Sequence, residues 1–249
     1  MRTVAIVQAR AASTRLPVKV LLDLAGKTAL ERCLRRVEQF RGVADTVVAT
    51  GDAPENDVIE IACRRLGFSC LRGSETDVLQ RYLDAASNCA ADVVVRCTSD
   101  CPLLDPVVSS TVIDEFFATA ASGRLADYAS NTLHRHLPRG LDTEVVRIDA
   151  LARVASEGPS PSDLEHVTLG VVRQPDKFAL HSVVIPDLEN LSSHRWTLDT
   201  LSDYRFLAGL YEALGPRAES AGLRDVLDVL AKHPQLIHLN AHVRQKAPA

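Results

Sequence analysis

The stretch TVAIVQARAASTRLPVKVLL, residues 3–22, decides how the rest of the chain is read. Residues 3–9 are an apolar run of buried-strand character. The run breaks into a polar loop carrying Arg10, Arg15 and Lys19 with no acid among them, and apolar residues then resume. A strand opening into a cation loop at the N-terminus predicts an α/β sheet with an anion site at a strand end.

The next segments extend that pattern. Residues 28–40 form an amphipathic helix with Leu30, Cys33, Leu34, Val37 and Phe40 on one face, and Thr28 with Glu31 fits a capping box. Strands are expected at 45–50, 68–73 and 91–100, the last running into a polar end, and helices at 56–67, 76–90 and 106–120. Strands alternating with helices of this length give a mostly parallel sheet covered on both faces, with ligands at the carboxyl ends of the strands. Beyond residue 131 the pattern loosens. Strands are expected near 143–148, at 177–185, pairing at an edge or across a subunit interface, and at 194–200, and helices around 163–173, 203–214 and 222–232, with the last few residues frayed.

Composition narrows the function classes. The chain has 249 residues and a formal net charge of −4, which argues against a non-specific nucleic-acid binder. Any anion site must therefore be a local cluster. Six scattered cysteines, none in a C-x-x-C, are expected to be reduced thiols of a cytoplasmic protein. No apolar run reaches the ~20 residues that span a bilayer.

Three positions carry the candidate chemistry. In the first loop, Ala11, Ala12 and Ser13 are small enough to let a phosphate approach the backbone, while Arg10, Arg15 and Lys19 supply charge. Each such cation near 4 Å from a phosphate contributes roughly 4 kcal/mol at an effective dielectric near 20. The alternative is a solvated loop whose cations lie over apolar surface. Asp100 ends the strand that runs into TSDCP, where its carboxylate suits Mg²⁺ or caps a turn. Asp105 reads as the N-cap of the helix beginning at Pro106. Asp199 ends RWTLD before a helix already capped by Thr200 with Asp203, so its carboxylate is not needed there. Two strand-end carboxylates facing a cation loop describe a Mg²⁺–triphosphate site.

Around these residues the chain resembles the cytidylyltransferases that make CMP-activated acid sugars. These include the CMP-ketodeoxyoctonate and acylneuraminate (CMP-sialic acid) enzymes and the branch named for spore-coat polysaccharide biosynthesis. Besides VQARAASTRLPVKVLLDLAGK (7–27), the resemblance rests on RGSETDVLQRY (72–82), DVVVRCTSDCPLLDP (92–106), DYASNTL (127–133), PRGLDTEVV (138–146), SDLEHVT (162–168) and HRWTLDT (194–200). It implies a Rossmann-like three-layer α/β/α nucleotidyltransferase fold in one domain: residues 1–130 binding CTP, about 131–195 for acceptor and dimerisation, and 196–249 returning to the core. It implies Arg10, Arg15 and Lys19 on the CTP phosphates beside Ala11–Ser13, and Asp100 and Asp199 on Mg²⁺. Thr50, Arg72 and Asp77 would line base and ribose, with Arg81 nearby. Asn131, Arg139, Asp142, Glu144, Glu165, His166, Arg195 and Trp196 would face a small acidic acceptor. Each has a structural alternative in turns, helix faces or core.

Two positions depart from the family pattern, where glycine usually stands: Val18 before Lys19, and Ser99 before Asp100. A β-branched residue at 18 predicts negative φ there. The expected activity is CMP transfer from CTP with release of pyrophosphate, by a homodimer that engages neither nucleic acid nor membrane. The other classes are a catalytically silent nucleotide-binding protein and a sugar-nucleotide-dependent glycosyltransferase. The latter calls for a D-x-D motif that TSDCP lacks.

Overall fold

The computed structural model describes residues 1–186, 188 and 190–245; the chain end expected to fray lies partly outside them. The first half follows the strand–helix alternation closely. It runs β1 (Thr3–Gln8), α1 (Ala29–Val37), β2 (Asp45–Gly51), α2 (Asp57–Leu66), β3 (Ser69–Gly73), α3 (Val78–Asn88), β4 (Val93–Thr98) and α4 (Pro106–Ala118). The second half holds β5 (Tyr128–Ser130), β6 (Glu144–Arg147), α5 (Ile148–Ser156), α6 (Pro161–His166), α7 (Leu169–Val172) and β7 (Leu180–Ser182). It ends with α8 (Leu201–Leu214), α9 (Leu223–Lys232) and α10 (Gln235–His238).

The strands form one sheet in the order β3-β2-β1-β4-β6-β5-β7. The β1–β2, β1–β4, β2–β3 and β5–β7 ladders are parallel, while β6 runs antiparallel to both β4 and β5. The fold is thus α/β with a mostly parallel sheet. Strand alternation sends Ala5 and Val7 to one face, where they pack with Leu30, Cys33, Ile59 and Phe116. Val4 and Ile6 go to the other, with Leu79, Tyr82, Leu151 and Val154. A third cluster, around Trp196, Leu198, Phe206, Leu210 and Tyr211, seats α8 and α9 beside the sheet.

Several local expectations hold for physical reasons. Asp105 caps α4 through the Val107 and Val108 N–H groups and also accepts from Leu223 N–H at 2.6 Å. Thr200 and Asp203 make a reciprocal capping box on α8. All six cysteine thiols are free. At α1 only half the box forms: Thr28 accepts from Glu31 N–H, while the Glu31 carboxylate lies 3.9 Å from Lys27.

Other expectations need correction. Residues 194–200 do not make a strand; a single bridge joins Arg139 to Arg195. The segment is instead packed through its side chains into the third cluster. The strand at 177–185 shrinks to β7, still at the sheet edge. The helix near 163–173 is two short ones, broken at Val167 with φ 57° and ψ −65°. β5 and α5 had no distinct signal, since a three-residue strand is too short to show a period. Val18 has φ +54°, contrary to the negative value its branching predicts. The loop keeps a left-handed conformation here, with Val18 N–H donating to the Ala11 carbonyl at 3.0 Å.

Candidate active site

The carboxyl ends of β1 and β4 open onto a cleft of about 1080 Å³. The left-handed turn at Val18 closes the cation loop on itself and feeds a 3₁₀ turn, Lys19–Leu21, that carries Lys19 inward. Ala11 N–H is taken by the buried Asn56 Oδ1 at 2.8 Å, and Asn56 is held in turn by Glu75. That N–H is therefore committed to the protein; Ala12 and Ser13 remain on the cleft wall.

Lys19 Nζ lies 2.7 Å from both Asp100 Oδ2 and Asp199 Oδ1. Arg15 reaches Asp199 Oδ1 at 3.0 Å, and Arg195 donates to Asp199 Oδ2 at 2.6 Å. The Asp100 carbonyl accepts from Leu198 N–H at 2.8 Å and from the Thr197 hydroxyl at 3.2 Å, so the two aspartate segments are fastened directly. Behind them the buried Asp203 accepts from Arg195 Nε at 2.9 Å, from the N–H groups of Asp199 and Thr200, and from Asn240. Burial pushes the Asp199 carboxyl up, but Lys19, Arg15 and Arg195 outweigh it and hold it below its ordinary range. Burial pulls Lys19 down, and its two aspartate partners outweigh that, leaving it above its ordinary value.

Arg139, Glu165 and His166 line the cleft as well. Arg139 follows Pro138 in a turn that lies on the backbone of Trp196. Gly140 there has φ +108°, and a Cβ would stand 2.7 Å from the Trp196 carbonyl. Burial lowers the Arg139 guanidinium from its ordinary value. Glu165 and His166 end α6 just before the strained turn at Val167, where Thr168 N–H donates to the His166 carbonyl at 2.6 Å.

The cleft thus gathers Arg10, Ala11, Ala12, Ser13, Arg15, Lys19, Asp100, Asp199, Arg139, Glu165 and His166 from the residues singled out by sequence. The others lie off its wall. Thr50 is fully buried. Arg72 is paired with Asp57 and Glu60. Asp77 caps α3 and Arg81 donates to the Ser74 carbonyl. Asn131 is buried between Leu141 and Thr143, and Asp142 is bound two-pronged by Arg135 at 2.7 Å. Glu144 is sequestered: one oxygen pairs with Arg96, the other accepts from Tyr128 and Thr168. Arg195 works behind Asp199, and Trp196 is core. The Thr50 hydroxyl and the Trp196 ring N–H are buried with no hydrogen-bond partner among the described residues; the other polar groups are consumed by protein partners that only the tertiary fold supplies.

Residues the sequence reading passed over are Gln8, Thr14, Pro17, Val20, Thr98 and Gln245 on the wall, and Asn56 behind it. Gln8 had a local signal, a polar residue on an otherwise apolar strand two positions before Arg10. Gln245 and Asn56 had none.

A cation loop, two converging carboxylates and a large cleft on an α/β sheet are the parts needed to hold a nucleoside triphosphate. Comparison with known proteins agrees. The family model described as cytidylyltransferase matches residues 4–186. The spore coat polysaccharide biosynthesis protein SpsF of Bacillus subtilis is 30% identical over 234 residues, covering 92% of this chain and 94% of its own. The 3-deoxy-manno-octulosonate cytidylyltransferase of Geobacter sulfurreducens is 34% identical over 169 residues, covering 65% and 64%. The solved structure of a cytidylyltransferase from Leptospira borgpetersenii superposes with a TM-score of 0.88 at 29% identity, covering 99% of this chain and 100% of that one. With its cation loop inside the matched segment and its sheet shared with that structure, the chain belongs to the cytidylyltransferase family and is a nucleotidyltransferase that uses CTP.

Proposed function

We propose that this enzyme transfers CMP from CTP to a small acidic acceptor, an acid sugar or a related compound, and releases pyrophosphate. The observation that carries this reading is the convergence of Asp100 and Asp199 on Lys19, on the rim where Arg10 and Arg15 stand. An acceptor hydroxyl oxygen bonds to the α-phosphorus. The bond from that phosphorus to the bridging oxygen breaks, pyrophosphate leaves with the electron pair, and the hydroxyl proton is released. Arg10, Arg15 and Lys19 bind the triphosphate and stabilise its developing charge. Arg139, Glu165 and His166 orient the acceptor, with Arg139 meeting its anionic group.

The donor set fits Mg²⁺. Two carboxylates reach one point, both offering hard oxygens, and no cluster of three metal-ligating side chains occurs among the described residues. A metal with that donor set relies on phosphate oxygens for the rest, as Mg²⁺ commonly does. When bound at Asp100 and Asp199 it would supply Lewis-acid charge at the phosphates.

We assign residues 1–130 to CTP and about 131–195 to acceptor binding and dimerisation, all within one domain. The open edge at β7, with Val184 exposed beside it, suits a homodimer contact. The test is a pyrophosphate-release screen of four nucleoside triphosphates with Mg²⁺ against a panel of acidic acceptors. Release with CTP and at least one acceptor is expected; CTP binding without release across the panel would instead favour a silent module.

A further inference from the structure

Asp199 has no uncommitted oxygen. Lys19 and Arg15 share Oδ1, and Arg195 holds Oδ2. Asp100 gives Oδ2 to Lys19, and its Oδ1 lies 3.6 Å from the Cys101 thiol. Lys19 Nζ stands at the point 2.7 Å from both carboxylates, so a divalent ion that bridges them there must displace this ammonium. Lys19 is the one that bridges both and also lines the cleft, whereas Arg195 is buried and tied to Asp203. The group is balanced as it stands: Asp100, Asp199 and Asp203 against Lys19, Arg15 and Arg195. Adding a dication alone leaves two excess positive charges in a largely buried place, which is strongly unfavourable. A triphosphate arriving with it restores the balance and offers Lys19 new oxygens.

We infer that Lys19 and the divalent metal compete for Asp100 and Asp199, so that metal enters with the nucleotide and Lys19 passes from the carboxylates to the triphosphate. Lys19 then does more than bind phosphate: it prevents metal from settling in the site ahead of CTP. The inference rests on the reading of Asp100 and Asp199 as metal ligands. It concerns binding order, which that reading leaves open.

The test is Mn²⁺ binding to the full chain without nucleotide, followed by the electron paramagnetic resonance of free Mn²⁺. Lys19→Met is expected to bind Mn²⁺ at least about tenfold more tightly than wild type. The double variant Lys19→Met/Asp199→Asn should lose that gain. Thermal melts of wild type provide a second measurement that needs no variant. Mn²⁺ and CTP together should raise the melting temperature by more than the sum of their separate effects. Equal Mn²⁺ affinity in wild type and Lys19→Met, or strictly additive melting shifts, overturns the inference. A gain that survives Asp199→Asn places the metal elsewhere and overturns the ligand assignment itself.

Discussion

The guanidinium of Arg195 meets the carboxylate of Asp203 at 2.9 Å, and the same guanidinium holds Asp199 at 2.6 Å. One cation therefore links the cap of α8 to the carboxylate that faces the cleft. Asp203 is fully buried, and its carboxylate takes four donors besides: the Asp199 and Thr200 N–H groups, the Thr200 hydroxyl and the Asn240 amide.

Removing that acid breaks a buried pair. Asp203→Ala strips Arg195 of its main partner and opens the capping box, so it should cost about 3–5 kcal/mol in stability. Urea unfolding measures the loss. A change under about 1 kcal/mol would show that the pair is replaceable by solvent.

At Val18 the strain should be recoverable. The residue is exposed, at φ +54°, and glycine adopts that region freely. Relief of a left-handed β-branched residue should stabilise the Val18→Gly variant by about 1 kcal/mol, net of the added chain entropy of glycine. A raised urea midpoint with an unchanged slope is the expected result; a lowered midpoint would place the strain elsewhere.

The proposed chemistry is tested most directly at Asp100. Asp100→Ala should lose at least about 10²-fold in rate of pyrophosphate release at saturating Mg²⁺. Wild-type turnover in that variant would remove the residue from the reaction.

The Lys19–Asp199 pair also makes a pH statement. Asp199 sits below its ordinary 3.8, so its contribution is present above that value and is lost as pH falls through its folded-state pKa. Lys19 sits above its ordinary 10.5, so its contribution is present below that value and is lost as pH rises through the higher folded-state pKa. Stability should therefore be flat from this source between the two ordinary values and fall outside them. Asp199→Asn should remove the acid limb of the difference in a pH series of urea melts.

Legibility followed the range of the interaction. Capping at Asp105 and Thr200 involves neighbours two or three positions apart, and the sequence reads it correctly. The helix periods of α1 to α4 need only their own residues. Arg195 looks the same in sequence whether it faces a ligand or Asp203, and Glu144 looks the same whether it meets an acceptor or Arg96. Val18 shows the limit of local steric rules. Branching disfavours positive φ by an amount that loop closure, through the Ala11 carbonyl and the Lys19 ion pairs, can outweigh.

By itself the sequence determined that strands alternate with helices, that the chain ends of β1 and β4 carry opposite charges, and which family motif those ends compose. These follow from short-range periodicity and residue type. Only the tertiary structure decided that Lys19 and Asp199 share a hydrogen bond across 180 positions, and which of the remaining polar residues were spent on one another. A buried charge takes whatever partner the packed chain brings within about 3 Å, and that partner is set by sheet order and helix docking.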